Sequence, residues 1–191
     1  MFRNEELAAR VSLSFCLSIM AHESRFKLGA SIMRTIRDME RDSNDMRTKP
    51  AAPFKRPPLL GLWHKHFFDA RFLAGNYLLA ASTRERVNHV MEAIRLSEGQ
   101  PKETILSRLV AAGWTEPVER RFAEGKATGE WVVYLPRDGK NYYLACSKHR
   151  RSPDEQYQLL DGILATCTID FPELGAWLEV AARNSNLHDE L

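Results

Sequence analysis

The chain has 191 residues, of which 44% are hydrophobic and 27% charged, and its formal net charge at pH 7 is +2. A chain of this size can bury on the order of 70% of its extended surface, so it needs neither a metal nor a disulfide to fold. Ten glycines, nine prolines and three cysteines exclude collagen-like, low-complexity and disulfide-scaffold proteins. The apolar runs are too short to cross a membrane, and we expect no membrane partner.

The three cysteines, Cys16, Cys146 and Cys167, lie far apart and form no C-x-x-C pair. This spacing argues against a disulfide framework and against a thiolate zinc site. The first ten residues carry charges of both signs before any apolar run, which does not match a secretory signal. We therefore expect a cytoplasmic protein that uses no cofactor.

In chain order, the first 46 residues are predicted to be helical, because apolar residues recur every three or four positions from Leu7 to Met39. The spacing fits two helices or one long bent helix. Residues 47–58 contain four of the nine prolines and are predicted to form a basic linker or an extended surface arm. Residues 59–81 have a mostly helical pattern, although their first residues could also form a strand.

Three helices are predicted between residues 82 and 125. Ser82 and Glu85 have the spacing of a capping box at the start of the first helix, which Gly99 closes. The apolar positions of this helix have the spacing of core residues: Val87, Val90, Met91 and Ile94. Pro101 suits the start of a second helix, which Gly113 would end in a left-handed conformation, and a short third helix follows Pro117.

The hydrophobic period changes from about 3.6 to about 2 after residue 130, which indicates β-strands. Trp131, Val133 and Leu135 share one face of the first strand, and the dipeptide Asp138-Gly139 predicts a tight hairpin turn before a second strand. A lone hairpin is marginal in water, so its apolar face must pack on helices or on a further strand. Residues 59–67 are a candidate for that strand.

Helix is predicted to return at Ser152, which opens a second capping box, and again near Pro172. The expected fold class is α+β, predominantly helical, with a β-hairpin, or a small antiparallel sheet, packed on helices. The expected division is a helical segment at 1–46, the linker at 47–58, a main domain at 59–183 and a flexible tail at 184–191.

The small net charge conceals two basic stretches and one acidic one. Residues 47–72 hold six basic side chains against one acidic, and residues 137–151 hold five against one. Residues 152–191 hold eight acidic side chains against one basic. If the fold brings the basic stretches together, they form a surface that prefers phosphates or an acidic protein. If the acidic segment folds over the basic stretches, the charges cancel within the protein and the sequence predicts no charged partner.

The chemistry available to the segment Trp63-His64-Lys65-His66 depends on whether its backbone is a strand or a helix. On a strand the two histidines share one face, whereas on a helix they point apart. If the segment is extended, His64 and His66 could act as acid and base on a ribose-phosphate, because imidazole titrates near neutral pH. They could also offer ligands to a metal, with His149 or Cys146 as the third. Alternatively, neither histidine is functional: one is exposed to solvent, and the other donates a hydrogen bond to a backbone carbonyl.

Tyrosines and cations alternate along the second strand of the hairpin and beyond it. Such residues can stack on bases and neutralise phosphates, which predicts contact with nucleic acid. Alternatively, these residues have only a structural role: one tyrosine packs in the core, and the cations keep the end of the strand exposed to solvent. The candidate catalytic residues are therefore His64, His66 and His149. The candidate ligand-binding residues are Lys65, Arg71, Lys140, Tyr142, Tyr143, Lys148, Arg150 and Arg151.

Four common signatures are missing from the sequence: the P-loop, the G-x-G-x-x-G turn, the G-x-S-x-G elbow and the H-E-x-x-H helix. Hydrolysis by a P-loop, Rossmann redox chemistry, elbow-type esterase action and zincin proteolysis are therefore not expected.

Three segments carry a resemblance to known proteins: GEWVVYLPRDGKNYYLACSKH at 129–149, FPEL at 171–174 and PLLGLWHKHFFDARF at 58–72. Together they resemble segments of small uncharacterised bacterial proteins associated with mobile elements. The hairpin with basic residues and histidines is also loosely similar to metal-independent toxin ribonucleases of the barnase and RelE kind.

Two functional hypotheses follow. In the first, the protein binds RNA or another phosphate-rich ligand through residues 47–72 and 137–151, with possible acid–base cleavage by the histidines. In the second, it is a non-catalytic interaction or inhibitor module of a mobile element, whose basic surface meets an acidic protein.

Overall fold

The structure is a computed structural model that describes residues 5–41, 48–67, 73–80, 82–124, 130–149 and 152–188. Contacts divide the chain into two compact units. The first contains Met1–Met46, Pro50–Phe67 and Glu130–Leu191, and the second contains Arg47–Lys49 and Phe68–Gly129. The expected main domain at 59–183 is thus divided between the two units, and the N-terminal helices belong to the same unit as the hairpin.

The described helices are α1 (Glu5–Ala8), α2 (Leu13–Phe26), α3 (Gly29–Glu40), α4 (Leu73–Ala80), α5 (Thr83–Arg95), α6 (Lys102–Val110), α7 (Glu116–Ala123), α8 (Pro153–Cys167) and α9 (Leu174–His188), and a π-helix covers Ala111–Thr115. The strands are β1 (Ala52–Pro53), β2 (Trp63–Phe67), β3 (Glu130–Arg137) and β4 (Lys140–Ser147). In the described part of the chain, no helix is long and apolar enough to cross a membrane. The α+β class is confirmed.

The four strands form one antiparallel sheet in the order β1-β2-β3-β4, so a sheet rather than a lone hairpin is present. The predicted turn is confirmed: Asp138 and Gly139 have φ of 51° and 71°, as a tight turn of this type requires. The linker expected at 47–58 contributes β1, and residues 63–67 are strand rather than helix.

Strand β3 is central, and its residues 130–135 are all buried. One sheet face, here called the α8/α9 face, places Trp131, Val133 and Leu135 in a core with residues of α8 and α9. The opposite α2/α3 face places Val132 and Tyr134 in a second core with α2 and α3. Helices therefore cover both faces of the hairpin, and the predicted alternation of β3 is confirmed.

The outer edge of β4 is covered by the segment before α2. Val11 forms a parallel bridge with Tyr143, whose amide donates to the carbonyl of Arg10 at 2.8 Å. The Ser12 amide donates to the carbonyl of Tyr143 at 3.0 Å, and the Ser12 hydroxyl caps α2 by accepting from the Phe15 amide. These bonds satisfy backbone groups that an open edge would leave unpaired.

Both predicted capping boxes are present, at Ser82 and at Ser152. The predicted stop at Gly113 is wrong, because this glycine lies inside the π-helix that connects α6 to α7. A Cβ there would lie 3.2 Å from Cγ2 of Val90, so the glycine permits close packing instead of ending a helix. The last helix also continues past residue 184, where we expected fraying, to His188.

A partly buried ion-pair cluster ties α3 to the N-terminal segment and β4. The guanidinium of Arg10 donates to both carboxylate oxygens of Glu40, at 3.1 and 2.6 Å, and the Tyr143 hydroxyl donates to the same carboxylate at 2.7 Å. Although burial acts to raise it, the pKa of Glu40 is lowered, because Arg10 and Tyr143 stabilise the charged form. The cluster holds three separate chain segments in register.

We predict that Tyr143→Phe lowers the free energy of unfolding by about 1–2 kcal/mol, because it removes a hydrogen bond to a charged group. Urea denaturation measures this change. Tyr157→Phe is the matched control, since Tyr157 is 53% exposed, and it should change the stability by less than about 0.5 kcal/mol. Equal effects of the two substitutions would contradict the structural role given to the Tyr143 hydroxyl.

Candidate histidine site

Strand β2 sets the orientation of the histidines. Because side chains alternate along a strand, Trp63, Lys65 and Phe67 point to the α2/α3 face, and His64 and His66 point to the α8/α9 face. The helical possibility for this segment is therefore excluded.

The register of the sheet then brings in the third histidine. His66 pairs with Trp131 of β3, and Trp131 pairs with Ser147 at the end of β4. The pairing of β4 with β3 shifts by one residue between Val133 and Tyr134. This bulge in β4 puts Ser147 on the same face of the sheet as Trp131. His149 follows Ser147 by two residues, and its ring stacks near Trp131 with centroids 4.5 Å apart.

The result is a compact group of rings on the α8/α9 face, here called the histidine cluster: Phe54, His64, His66, Trp131 and His149. The His64 and His66 centroids lie 5.6 Å apart, and those of His66 and His149 lie 4.9 Å apart. The ring centroid of Phe54 lies 4.7 Å from that of His64 and 5.2 Å from that of Trp131. The structure thus brings the three predicted catalytic histidines together.

His66 and His149 are in direct polar contact. Nε2 of His149 lies 3.3 Å from Nδ1 of His66, and the tautomer decides which nitrogen donates. His66 is only 3% exposed, whereas His64 and His149 are partly exposed. The buried ring can therefore orient the accessible one, as the supporting partner of a catalytic imidazole does.

Trp131 brings an unused donor to the cluster. The side chain is 8% exposed, and its indole Nε1 has no hydrogen-bond partner among the described residues. A buried donor without an acceptor costs free energy. The unpaired nitrogen is therefore a cost that the packing of the surrounding rings offsets.

Lys65 does not join this site. It is fully buried on the α2/α3 face, so its ammonium is not available to a ligand at the histidines. Burial lowers the pKa of Lys65 to about 8, against a smaller opposing effect of Asp38. The expected phosphate contact from Lys65 is therefore corrected to a buried structural position.

Cys146 also faces the α2/α3 side, where it packs against the core of α2 and α3. Burial raises the pKa of its thiol well above the usual range. Cys146 is therefore not placed to share a metal with His64 and His66. In the ranges that the structure describes, no three histidine, cysteine, aspartate or glutamate side chains are grouped to hold a metal ion.

The two tyrosines do not form the expected stacking surface. Tyr143 is fully buried on the α2/α3 face, and its hydroxyl bonds Glu40. Tyr142 packs on the opposite face against Phe171 and Trp177, with centroids 5.5 and 5.1 Å apart. Tyr143 is therefore part of the core with α2 and α3, and Tyr142 packs against the core with α8 and α9.

The described cations of 137–151 are divided between the two ends of the hairpin. At the turn, Lys140 pairs with Glu6 at 2.7 Å, and Arg137 lies 4.3 Å from the Trp177 ring centroid. At the other end, Lys148 is exposed beside His149. The predicted ligand residues Arg71, Arg150 and Arg151 lie outside the described residues.

Sequence reasoning missed the aromatic half of the cluster. Trp131 was placed on its correct face, but only the pairing of β2 with β3 puts it between the histidines. It also missed a buried pair on the opposite face, where Nε2 of His22 lies 3.0 Å from the carboxylate of Glu130. Glu130 is 2% exposed, and its position just before the apolar run gave no sign of this burial.

Comparisons with protein-family models, with curated proteins and with solved structures returned no match. The function is therefore argued from the geometry of the cluster.

The shifted pKa of Lys65 predicts a pH dependence of stability. Between pH 8 and 10.5 the unfolded chain holds a proton on Lys65 that the folded chain has lost, so Lys65 contributes a rise of the free energy of unfolding with pH in this window. The buried thiol of Cys146 and the buried hydroxyls of Tyr134 and Tyr143, whose pKa values are raised, contribute in the opposite direction, so the contribution of Lys65 is measured as a difference between variants. The slope is at most about 1.4 kcal/mol per pH unit.

We predict that Lys65→Met removes this rise, whereas Lys102→Met, at an exposed lysine, keeps it. Urea denaturation across the window measures both variants against the original chain. Parallel profiles for the original chain and Lys65→Met would show that Lys65 is not the titrating group.

Proposed function

We propose that the protein binds RNA, or another phosphate-rich ligand, at the histidine cluster, and that the imidazoles cleave RNA by acid–base catalysis. The observation that carries this proposal is the convergence of His64, His66 and His149 from two distant segments, with the His66–His149 nitrogens 3.3 Å apart. The proposal places this activity in a bacterial cytoplasmic protein of the kind that the sequence resembles.

Exposed cations flank the cluster along the chain. Lys55 and Arg56 directly follow Phe54, and Lys148 directly precedes His149; all three are exposed. Cations can neutralise the phosphates of a nucleic acid, and neighbouring aromatic rings can stack on its bases. These cations belong to the two basic stretches of the sequence, 47–72 and 137–151.

The proposed chemistry needs no water and no metal. One partly exposed imidazole, His64 or His149, takes the proton of a ribose 2′-hydroxyl, and the 2′-oxygen forms a bond to phosphorus. The bond from phosphorus to the 5′-oxygen breaks, and the other imidazole, in its protonated form, gives that oxygen a proton. The products are a 2′,3′-cyclic phosphate and a free 5′-hydroxyl. His66 positions His149 through the contact between their nitrogens.

Binding is tested by fluorescence anisotropy with a labelled single-stranded RNA of mixed sequence. If Lys55, Arg56 and Lys148 each neutralise one phosphate, affinity should fall about 20-fold between about 50 and about 200 mM salt. Lys148→Ala should weaken binding and reduce the salt dependence. Lys102→Ala, at an exposed lysine of the other unit, is the matched control and should bind like the original chain.

Cleavage is tested with the same RNA and with a copy that carries a 2′-deoxy substitution at each position. We predict cleavage of the RNA alone, with 2′,3′-cyclic phosphate ends. His149→Ala and His64→Ala should each slow it by about 10²–10⁴-fold while RNA binding persists. His89→Ala, which removes a histidine of the other unit, should cleave at the original rate.

Absence of RNA binding at both salt concentrations would overturn the proposal as a whole. Binding without cleavage would leave a phosphate-binding protein and remove the catalytic roles. A single stoichiometric protein partner recovered after nuclease treatment would favour the interaction module instead.

A further inference from the structure

Helix α5 exposes its large apolar side chains. Val87, Met91 and Ile94 are 53%, 59% and 47% exposed. Their spacing of four and three residues places them within an arc of about 60° on one side of the helix. We call this set the α5 stripe. Residues at this spacing are normally buried, and the sequence indeed placed Met91 in the core.

The packed side of α5, roughly a quarter turn around the helix from the stripe, explains why these residues are outside. Ala93 and Ser97 are buried there, and the Ser97 hydroxyl donates to the Ala93 carbonyl at 2.6 Å. This side faces the π-helix, where Ala112 is buried and Gly113 leaves just enough room for Val90. Small residues on both elements allow close backbone packing. The rotation of α5 is therefore fixed by its inner contacts, and turning the stripe inward would overfill this space.

Charges mark the two ends of the stripe. Arg84 and Glu98 lie seven residues before and after Met91, which places all three on one line along the helix. Glu98 follows α5 in a turn that continues it, since its amide donates to the Arg95 carbonyl at 3.4 Å. Within the described part of the chain, neither Arg84 nor Glu98 forms an ion pair.

This arrangement is complementary to itself. If two α5 helices pack antiparallel about a two-fold axis at Met91, each Arg84 meets Glu98 of the other copy. The same axis brings the two stripes together, with Met91 at the centre and Val87 and Ile94 on either side. Two ion pairs and one continuous apolar seam form at once, as expected of an interface between identical chains.

We propose that the α5 stripe is a self-association surface, and that a second copy of this chain is its partner. The helix is 13 residues long, about 20 Å, so the seam is small and the dimer is weak. The proposal is independent of the histidine cluster, which lies in the other unit, and either can fail without the other.

Sedimentation velocity of the full chain tests the proposal from about 5 to about 500 μM, the range suited to a small interface. We expect a monomer–dimer equilibrium. Met91→Glu should raise the dissociation constant at least tenfold, because it buries a charge at the centre of the seam. Leu106→Glu is the matched control, since Leu106 is 52% exposed on α6, and it should dimerise like the original chain. Circular dichroism and urea denaturation establish that each variant is folded.

A charge exchange tests the antiparallel arrangement independently of the apolar seam. Arg84→Glu and Glu98→Arg should each weaken the dimer about fivefold, and the double variant should restore it. Three results would overturn the proposal: a monomer over the whole range, a dimer unaffected by Met91→Glu, or no rescue by the double variant. A monomer that instead binds another protein through the stripe would identify a different occupant.

Discussion

The burial of β3 on both of its faces is the constraint on which the first unit depends. From residue 130 to residue 135 no side chain of this strand reaches solvent to an appreciable extent. A strand of this kind needs a hydrogen-bonded neighbour on each edge and an apolar layer on each face. β2 and β4 supply the edges, and the two pairs of helices, α2 with α3 and α8 with α9, supply the faces.

The same constraint separates the chemistry of the two faces. Lys65, Cys146 and Tyr143 belong to the face of α2 and α3, where burial holds them away from solvent. His64 and His66 belong to the other face, beside Trp131. A shift of one residue in the pairing of β2 would move Lys65 to the face of α8 and α9 and would move His64 and His66 to the face of α2 and α3, because side chains alternate along a strand. The histidine cluster is therefore a consequence of register.

The features that were predicted correctly are local in the sequence. A capping box needs only a serine and a glutamate three residues apart, and both boxes, at Ser82 and Ser152, formed as predicted. The hairpin turn needs residues that tolerate positive φ, which Asp138 and Gly139 supply. Local hydrogen bonds and backbone preferences decide these features, so the sequence pattern contains the necessary information.

The features that were missed depend on contacts between distant segments. The charge of Lys65 predicted exposure, yet its strand neighbours and the helices above it enclose it completely. The hydroxyl of Tyr143 finds its acceptor in Glu40, more than a hundred residues away. In α5, small inner residues bring the backbones close and leave Met91 outside, which the apolar period alone does not distinguish from a buried position.

The central claim is that the register of β2, β3 and β4 places His66 and His149 side by side against Trp131. Nuclear Overhauser spectroscopy on the protein labelled at its histidines and tryptophans tests this claim most directly, with His149→Ala used to assign the ring signals. The account predicts cross-peaks between the ring protons of His66 and His149, and from both rings to the indole of Trp131. Cross-peaks from His66 to the side chains of α2 and α3, with none to His149, would contradict it.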